Sequence, residues 1–380
     1  MKEALVIHPK LSVYAGAEYL CLYACKILQT LGYHVNLLSD SFDPQKAEKL
    51  YSMGGVLSKC THIQLPEPTI AFPRKLLALK GLVYTIKLAR FANSLRKRDF
   101  AIVLSTQSSI FCFPGKRLYH FVYELTDLFR YPMPLVRGAP QVGGPAKKAY
   151  FAILRIIYEC LASVPRPSWY YVTGQQVLTG LSKLGRTNSS FFYPPSRVFK
   201  NGLPKKKRIL QACRIAPEKR LELMFETAKQ MPNYEFYLVG KNLPAQKQSH
   251  PGYAELLLSK LPHNVFYFDS LVSDRPELLE ESKVYFHTGL EKGILLILVE
   301  AMSAGCILVV PEKGVAGEVV RASGVGFQYN TLSEAVERLK TAMEGDAPWS
   351  ASQISERAQQ LGPLAFEKMI KDLLVRTPLN

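Results

Sequence analysis

The chain has 380 residues, 48% of them hydrophobic and 21% charged, which is enough for two or three separately cored domains and excludes wholesale disorder. Its formal charge of +17 is unevenly placed: residues 1–200 hold 26 Lys/Arg against 10 Asp/Glu, and residues 201–380 hold 22 against 21. A basic first half calls for an anionic partner, be it nucleic acid, membrane or phosphorylated substrate, while seven scattered cysteines without metal-ligand spacing exclude a disulfide framework and read as core residues in a reducing compartment.

The opening pattern is strand, glycine-bearing loop, helix, strand. Ala4–Ile7 is apolar, a helix starts at Gly16-Ala17-Glu18 and runs to about Leu31, Gly32 ends it, and Val35–Leu38 is the next strand. Apolar runs at Ala101–Ser105, Leu118–Tyr123 and Tyr170–Thr173 alternate with helical stretches, the signature of a parallel sheet. A second series runs through Arg208–Cys213, Glu235–Val239, Val265–Phe268, Val284–Thr288 and Ile307–Pro311. Between the two series, YPPSRVFKNGLPKKKR (Tyr193–Arg208) is rich in Pro, Gly and Lys and loses apolar periodicity, so the domain boundary belongs there. The pattern predicts two doubly wound α/β domains with a cleft between them. MKEALVIHPK has too short an apolar run for a signal peptide, and Ala149–Val164 is interrupted by Arg155 and Glu159, so a soluble or peripheral protein is expected.

Charged residues concentrate where strands feed loops. In VYFHTGLEKGILLILVEAMSAGCILVVP (Val284–Pro311), Glu291, Lys292 and Gly293 follow one buried strand and Glu300 sits early on the next helix. Such groups lie at the carboxyl edge of an open α/β sheet, where these sheets bind ligands. Arg214 and Lys219 follow the first strand of the second series; an Arg fork and a Lys point charge together suit a diphosphate, although two solvated charges at a helix start would look the same. Gly16 would let a phosphate approach backbone amides at a helix N-terminus. No Asp-x-Asp pair or His/Asp/Glu cluster suggests a metal, which assigns any diphosphate to basic side chains and amides.

With the Ala15–Glu18 loop AGAE, Tyr193-Pro194-Pro195, RIAPEK (Arg214–Lys219), YLVGK (Tyr237–Lys241) and EAMSAG (Glu300–Gly305) in this order, the chain resembles the retaining nucleotide-sugar glycosyltransferases of the GT-B fold, the group that includes bacterial mannosyltransferases and sucrose-phosphate synthase. Its Tyr-Pro-Pro and EAMSAG wording is similar to that of dolichol-pathway mannosyltransferases. The resemblance implies two Rossmann-like domains facing a central cleft: an acceptor-side domain over 1–198, a nucleotide-sugar domain over 199–360, and a C-terminal helix over 361–380 crossing back to the first. It implies a hexosyltransferase, with mannose favoured, that takes a GDP- or UDP-linked donor as substrate and needs no cofactor. The implied acceptor is a lipid-linked saccharide or glycolipid.

Residue by residue, the resemblance implies that Gly16 offers its amide to the diphosphate, Arg214 and Lys219 bind it, and Glu300 holds the ribose hydroxyls. Glu291, with Gly293 and Ile294 beside it, would contact the donor sugar. Val239, Gly240 and Lys241 would line the base pocket with Leu271 and Val272. His120, in RLYHFVYELTDL, stands where related enzymes contact the sugar; read alone, a histidine among aromatics is equally a packed residue. Three positions depart from the family pattern. Eight residues rather than seven separate Glu291 from Glu300, so strict spacing lands on Lys292; Ala15-Gly16 replaces Gly-Gly; and Ile294 follows Gly293 where the family has Phe-Gly.

Basic, leucine-rich stretches at Arg74–Arg98 and Ala146–Leu161 read either as core-facing helices or as a surface for anionic lipid. The expected location is therefore cytoplasmic, peripheral on the membrane face. Two other functions compete. One is a GT-B protein that binds a nucleotide sugar without turnover, motivated by Lys292. The other is a basic nucleic-acid-binding protein, against which stands the lack of a basic–aromatic platform, a Cys/His finger or a recognition helix.

Overall fold

Val, Ile, Leu and aromatic runs of four to seven residues become strands, and every described ladder is parallel. Strands covered on both faces read as continuous apolar runs, and Ala4–Ile7, Ile102–Ser105, Leu118–Val122 and Ile307–Pro311 have that character. The computed structural model describes residues 1–11, 16–66, 77–95, 97–106, 118–122, 144–162, 169–241, 250–290 and 296–375. The chain divides into a unit of Met1–Phe192 with Glu367–Asn380 and a unit of Tyr193–Phe366.

The first unit runs β1 (Lys2–Ile7), α1 (Gly16–Thr30), β2 (Tyr33–Ser39), α2 (Pro44–Tyr51), β3 (Cys60–Gln64), α3 (Leu77–Leu95), β4 (Ile102–Ser105), β5 (Leu118–Val122), α4 (Gly144–Ala162), β6 (Trp169–Val172), α5 (Gln175–Lys183) and β7 (Ser189–Phe191). Its sheet order is β3-β2-β1-β4-β5-β6-β7. Gly32 stops α1 by taking φ +81°, the left-handed conformation that an L side chain resists. One core packs Leu5, Ile7 and Val103 of the sheet against Tyr84, Leu88 and Ala92 of α3 and Phe151, Leu154 and Tyr158 of α4. The apolar stripe of α3 is thus directed into the core.

The second unit runs β8 (Lys206–Ala212), α6 (Leu221–Lys229), β9 (Glu235–Val239), α7 (Tyr253–Leu258), β10 (Val265–Phe268), α8 (Pro276–Glu280), β11 (Ser282–Phe286), α9 (Leu296–Ser303), β12 (Ile307–Pro311), α10 (Val315–Ser323), β13 (Phe327–Tyr329), α11 (Leu332–Glu344) and α12 (Ala351–Gln360). A last helix, α13, spans Pro363–Val375. Sheet order is β10-β9-β8-β11-β12-β13. Sequence-local devices bound the helices. Thr331 caps α11 by accepting from the Glu334 amide, and Ser350 with Gln353 forms a capping box on α12.

All ten strands expected from the sequence are present, with ends shifted by up to two residues. Three strands, β3, β7 and β13, were not expected. Each lies at the margin of its sheet, and none is buried along its full length. A marginal strand is covered less completely, so it lacks the unbroken apolar run that marks the central ones.

In both sheets the order reverses about the first strand of its unit, with β1 between β2 and β4, and β8 between β9 and β11. Crossovers leave these neighbours in opposite directions, which opens a crevice at the carboxyl ends of the strands. Beside the second crevice, Gly240 follows β9 so closely against β8 that a Cβ there would lie 1.8 Å from the Cys213 carbonyl oxygen. Backbone on both sides cannot yield as a side chain can. Gly240→Ala is therefore expected to lower stability by roughly 1–3 kcal/mol or more, measured by urea unfolding of the purified variant; unchanged stability would show that the strand ends separate freely.

Candidate functional site

In the second unit the crevice is built from the residues that leave β8 and β11. Arg214 stands two positions beyond β8, and its guanidinium meets Glu218 at 3.3 Å with both side chains about half exposed, at 51% and 46%. An exposed i,i+4 pair of this kind is worth a few tenths of a kcal/mol, so the fork can exchange Glu218 for a stronger anion. Lys219 closes a short 3-10 turn, Pro217–Lys219, and is largely buried. Arg220 then takes φ +52°, a left-handed residue that redirects the chain into α6.

This turn is pinned from below. The Thr288 hydroxyl donates to the Lys219 carbonyl at 2.6 Å, and the Gln211 side-chain amide donates to Thr288 at 2.8 Å. Gln211 and Thr288 are both fully buried. A buried polar chain whose members satisfy one another holds its geometry well, and here it locks the Lys219 turn to the two strands that define the crevice. The sequence reading missed both residues because each is an ordinary polar side chain inside an otherwise apolar run.

Glu300 lies in the middle of α9 with only 3% of its surface exposed. Its carboxylate receives Arg197, whose Nε lies 2.9 Å from Oε1 and Nη2 3.5 Å from Oε2. Arg197 belongs to the stretch read from sequence as a linker, 103 residues away, and nothing local signals the pairing. At the neighbouring edge, Lys241 reaches Asp274 at 3.7 Å, and the Tyr267 hydroxyl donates to the Gly240 carbonyl at 2.9 Å. Val272 is buried and Leu271 half-buried at the turn after β10. Arg214, Lys219, Glu300, Gly240, Lys241, Leu271 and Val272 thus all follow strands or occupy helices of one unit; Glu291, Gly293 and Ile294 lie outside the described residues.

In the first unit Gly16 is the first residue of α1 and Glu18, in the first turn, is buried. An acidic group there suits the helix dipole. Glu18 approaches the fully buried His8 at 3.5 Å, and His8 also bonds the Thr106 hydroxyl at 2.8 Å. Burial opposes charge on His8, but Cys21 and Glu18 outweigh it and raise the imidazole to about 9. Burial likewise opposes a Cys21 thiolate, yet hydrogen bonding from Cys25 and the charge on His8 bring it down to about 6. The two shifts run in opposite directions, so their contributions to the pH dependence of folding oppose one another.

His120 occupies the centre of β5, paired with Ser105 on one side and Tyr170 on the other. It is fully buried, and neither ring nitrogen has a hydrogen-bond partner among the described residues. Burial first, then the charges of Arg155 and Arg186, push its pKa down to about 3, which keeps the ring neutral. A histidine held neutral stabilises the fold fully above its unfolded value of about 6.5 and loses that contribution as pH falls toward the folded value. Unfolding free energy should therefore fall by up to ~1.4 kcal/mol per pH unit below about pH 6. His120→Gln should flatten that slope in denaturant titrations, and an unchanged slope would show that another group carries it.

Residues 196–361 match the family model of the glycosyl transferases group 1. Among curated proteins none matches the sequence. Solved structures match along nearly the whole chain. Sucrose-phosphate synthase from Thermosynechococcus elongatus is 14% identical with a TM-score of 0.67, covering 99% of each chain. HepE from Anabaena, solved with UDP and glucose, is 15% identical with a TM-score of 0.68, covering 99% of this chain and 100% of its own. WaaG, a glycosyltransferase involved in lipopolysaccharide biosynthesis, is 13% identical with a TM-score of 0.65, covering 98% of this chain and 99% of its own. At these identities the likeness establishes the fold. Residues 196–361 are thus similar to the glycosyl transferases group 1, and the chain has a GT-B fold.

Proposed function

We propose that the protein transfers a hexose from a nucleotide-diphosphate sugar to a hydroxyl of a glycan acceptor, with retention at the anomeric carbon. The observation that carries this reading is the pairing, in one unit, of a half-exposed Arg214 and a pinned Lys219 with a buried carboxylate, Glu300. A donor needs both: cationic groups for the diphosphate that departs, and a fixed acceptor of hydrogen bonds for the ribose. Stabilising the negative charge that grows on the leaving group is the main contribution such a site can make. Arg214, whose partner Glu218 is half exposed, is available for that charge. The family match and the UDP-bound neighbour support a nucleotide-sugar donor.

In the proposed reaction the acceptor hydroxyl attacks from the face that the diphosphate leaves, and that diphosphate takes the proton. Glu291 orients the sugar, and Gly240, Lys241, Leu271 and Val272 line the base pocket. Mannose, from GDP or UDP, is the favoured sugar, on the wording of the Tyr-Pro-Pro and EAMSAG segments. The diphosphate is held by basic groups without a metal. A thermal-shift screen of GDP-, UDP- and ADP-sugars tests the donor. The true donor at a hundredfold over its Kd stabilises by about 2.7 kcal/mol, and Glu300→Gln and Lys219→Ala should each weaken that shift. No shift with any donor would overturn the reading, and binding without transfer or hydrolysis would leave the non-catalytic alternative that Lys292 suggested.

The acceptor we propose is lipid-linked, presented at an anionic membrane. No helix among the described residues is long and apolar enough to cross a membrane, so contact would be at the surface. Of the two basic stretches, the one on α4 has the exposed apolar side chains that support this reading. Ile153, Ile156 and Cys160 of α4 are exposed at helical spacing, on the face opposite the core residues Phe151, Leu154 and Tyr158. Lys148 on α4 and Lys87 and Arg90 on α3 are exposed as well. An apolar stripe with basic neighbours is the composition of an interfacial helix. Sedimentation with phosphatidylglycerol vesicles should exceed that with phosphatidylcholine vesicles, and the Ile153→Ser/Ile156→Ser variant should lose most of the difference. Binding indifferent to anionic lipid would count against a membrane-presented acceptor.

A further inference from the structure

We infer that Arg197 is the positioning residue for ribose recognition: it orients the Glu300 carboxylate and so sets the discrimination between ribo- and deoxyribonucleotide donors. The inference rests on the donor-site reading above and assigns a role to a residue that the reading itself does not use. Glu300 is almost completely buried, and Arg197 contacts both of its oxygens, at 2.9 and 3.5 Å, while its own side chain stays 30% exposed. A carboxylate offers about four lone-pair directions. The guanidinium occupies one direction on each oxygen and fixes the plane of the group, which leaves the others to receive a vicinal pair of hydroxyls.

Arg197 is itself held by the segment that carries it. The Phe199 amide donates to the Ser303 hydroxyl at 2.9 Å, and that hydroxyl donates to the Glu300 carbonyl at 2.7 Å. The Lys200 amide donates to the Glu280 carboxylate at 3.0 Å, and the Ser355 hydroxyl donates to the Ser303 carbonyl at 2.8 Å. The Arg197 guanidinium also lies 5.8 Å from the centre of the Phe199 ring. The strap from Arg197 to Lys200 is therefore fastened at successive points to α9 and its neighbours. A buried ion pair contributes little net stability compared with apolar residues of equal volume. Its value here is directional, since a planar fork fixes a carboxylate where an ammonium would leave it free to rotate.

The test measures affinity for UDP and GDP and for their 2′-deoxy and 3′-deoxy counterparts in the full chain. A hydrogen bond to a charged group is worth about 1.5–3 kcal/mol, so the wild type should prefer the ribonucleotide it binds by about tenfold to a hundredfold. Arg197→Met should bring that preference close to one. Arg197→Lys retains the charge without the fork, and its preference should fall at least threefold below that of the wild type. Should Arg197→Met fail to fold, as a lone buried carboxylate could cause, Arg197→Lys alone decides. A fully retained preference in Arg197→Lys, or in a folded Arg197→Met, overturns the inference while leaving the donor site intact. A wild type that binds no nucleotide here or in the donor screen, or that ignores the missing hydroxyls, removes the donor-site reading and this inference with it.

Discussion

Parallel strands impose the constraint on which everything else rests. A parallel neighbour can be reached only by a crossover, so every loop that leaves a strand's carboxyl end emerges on the same edge of the sheet. Where the order reverses, adjacent loops part and leave a crevice. In the second unit this happens between β8 and β11, and Arg214, Lys219 and Thr288 are the residues released there. The location of these residues follows from the topology before any side chain is considered.

The interior then determines how firmly those residues are held. Two buried arrangements act on the crevice. Gln211 and Thr288 tie the Lys219 turn to the sheet, and Arg197 fixes Glu300 from a strap bound along α9. Both place polar groups where unmet hydrogen bonds would be costly, so each arrangement persists only in a geometry that satisfies it. That requirement gives residues on loops the rigidity that a binding site needs. Arg214, by contrast, is half exposed, and its ion pair among the described residues is with the half-exposed Glu218, a weaker hold than either buried arrangement.

The first unit shows the same economy with different groups. The pKa of His8 is raised beside Cys21 and Glu18 near the start of α1, whereas that of His120 within β5 is lowered. Burial disfavours charge on both histidines; at His8 the acidic neighbours outweigh it, and at His120 nearby arginines add to it. Nothing in the residues flanking either histidine distinguishes them, since the groups that decide their charge come from other elements.

Central strands and the glycine that ends α1 could be read from the amino-acid sequence. Their signals are local: unbroken apolar runs and a glycine at a helix end. The marginal strands β3, β7 and β13 could not, because partial exposure blurs the pattern that burial sharpens. Nor could the partners of the site residues. That Glu300 is buried and faces Arg197, that Thr288 supports Lys219, and that α3 turns its apolar face to the core while α4 leaves Ile153 and Ile156 outside were decided by tertiary structure alone. Each joins residues far apart in the chain, and only packing brings such groups within the few ångströms over which hydrogen bonds and ion pairs act.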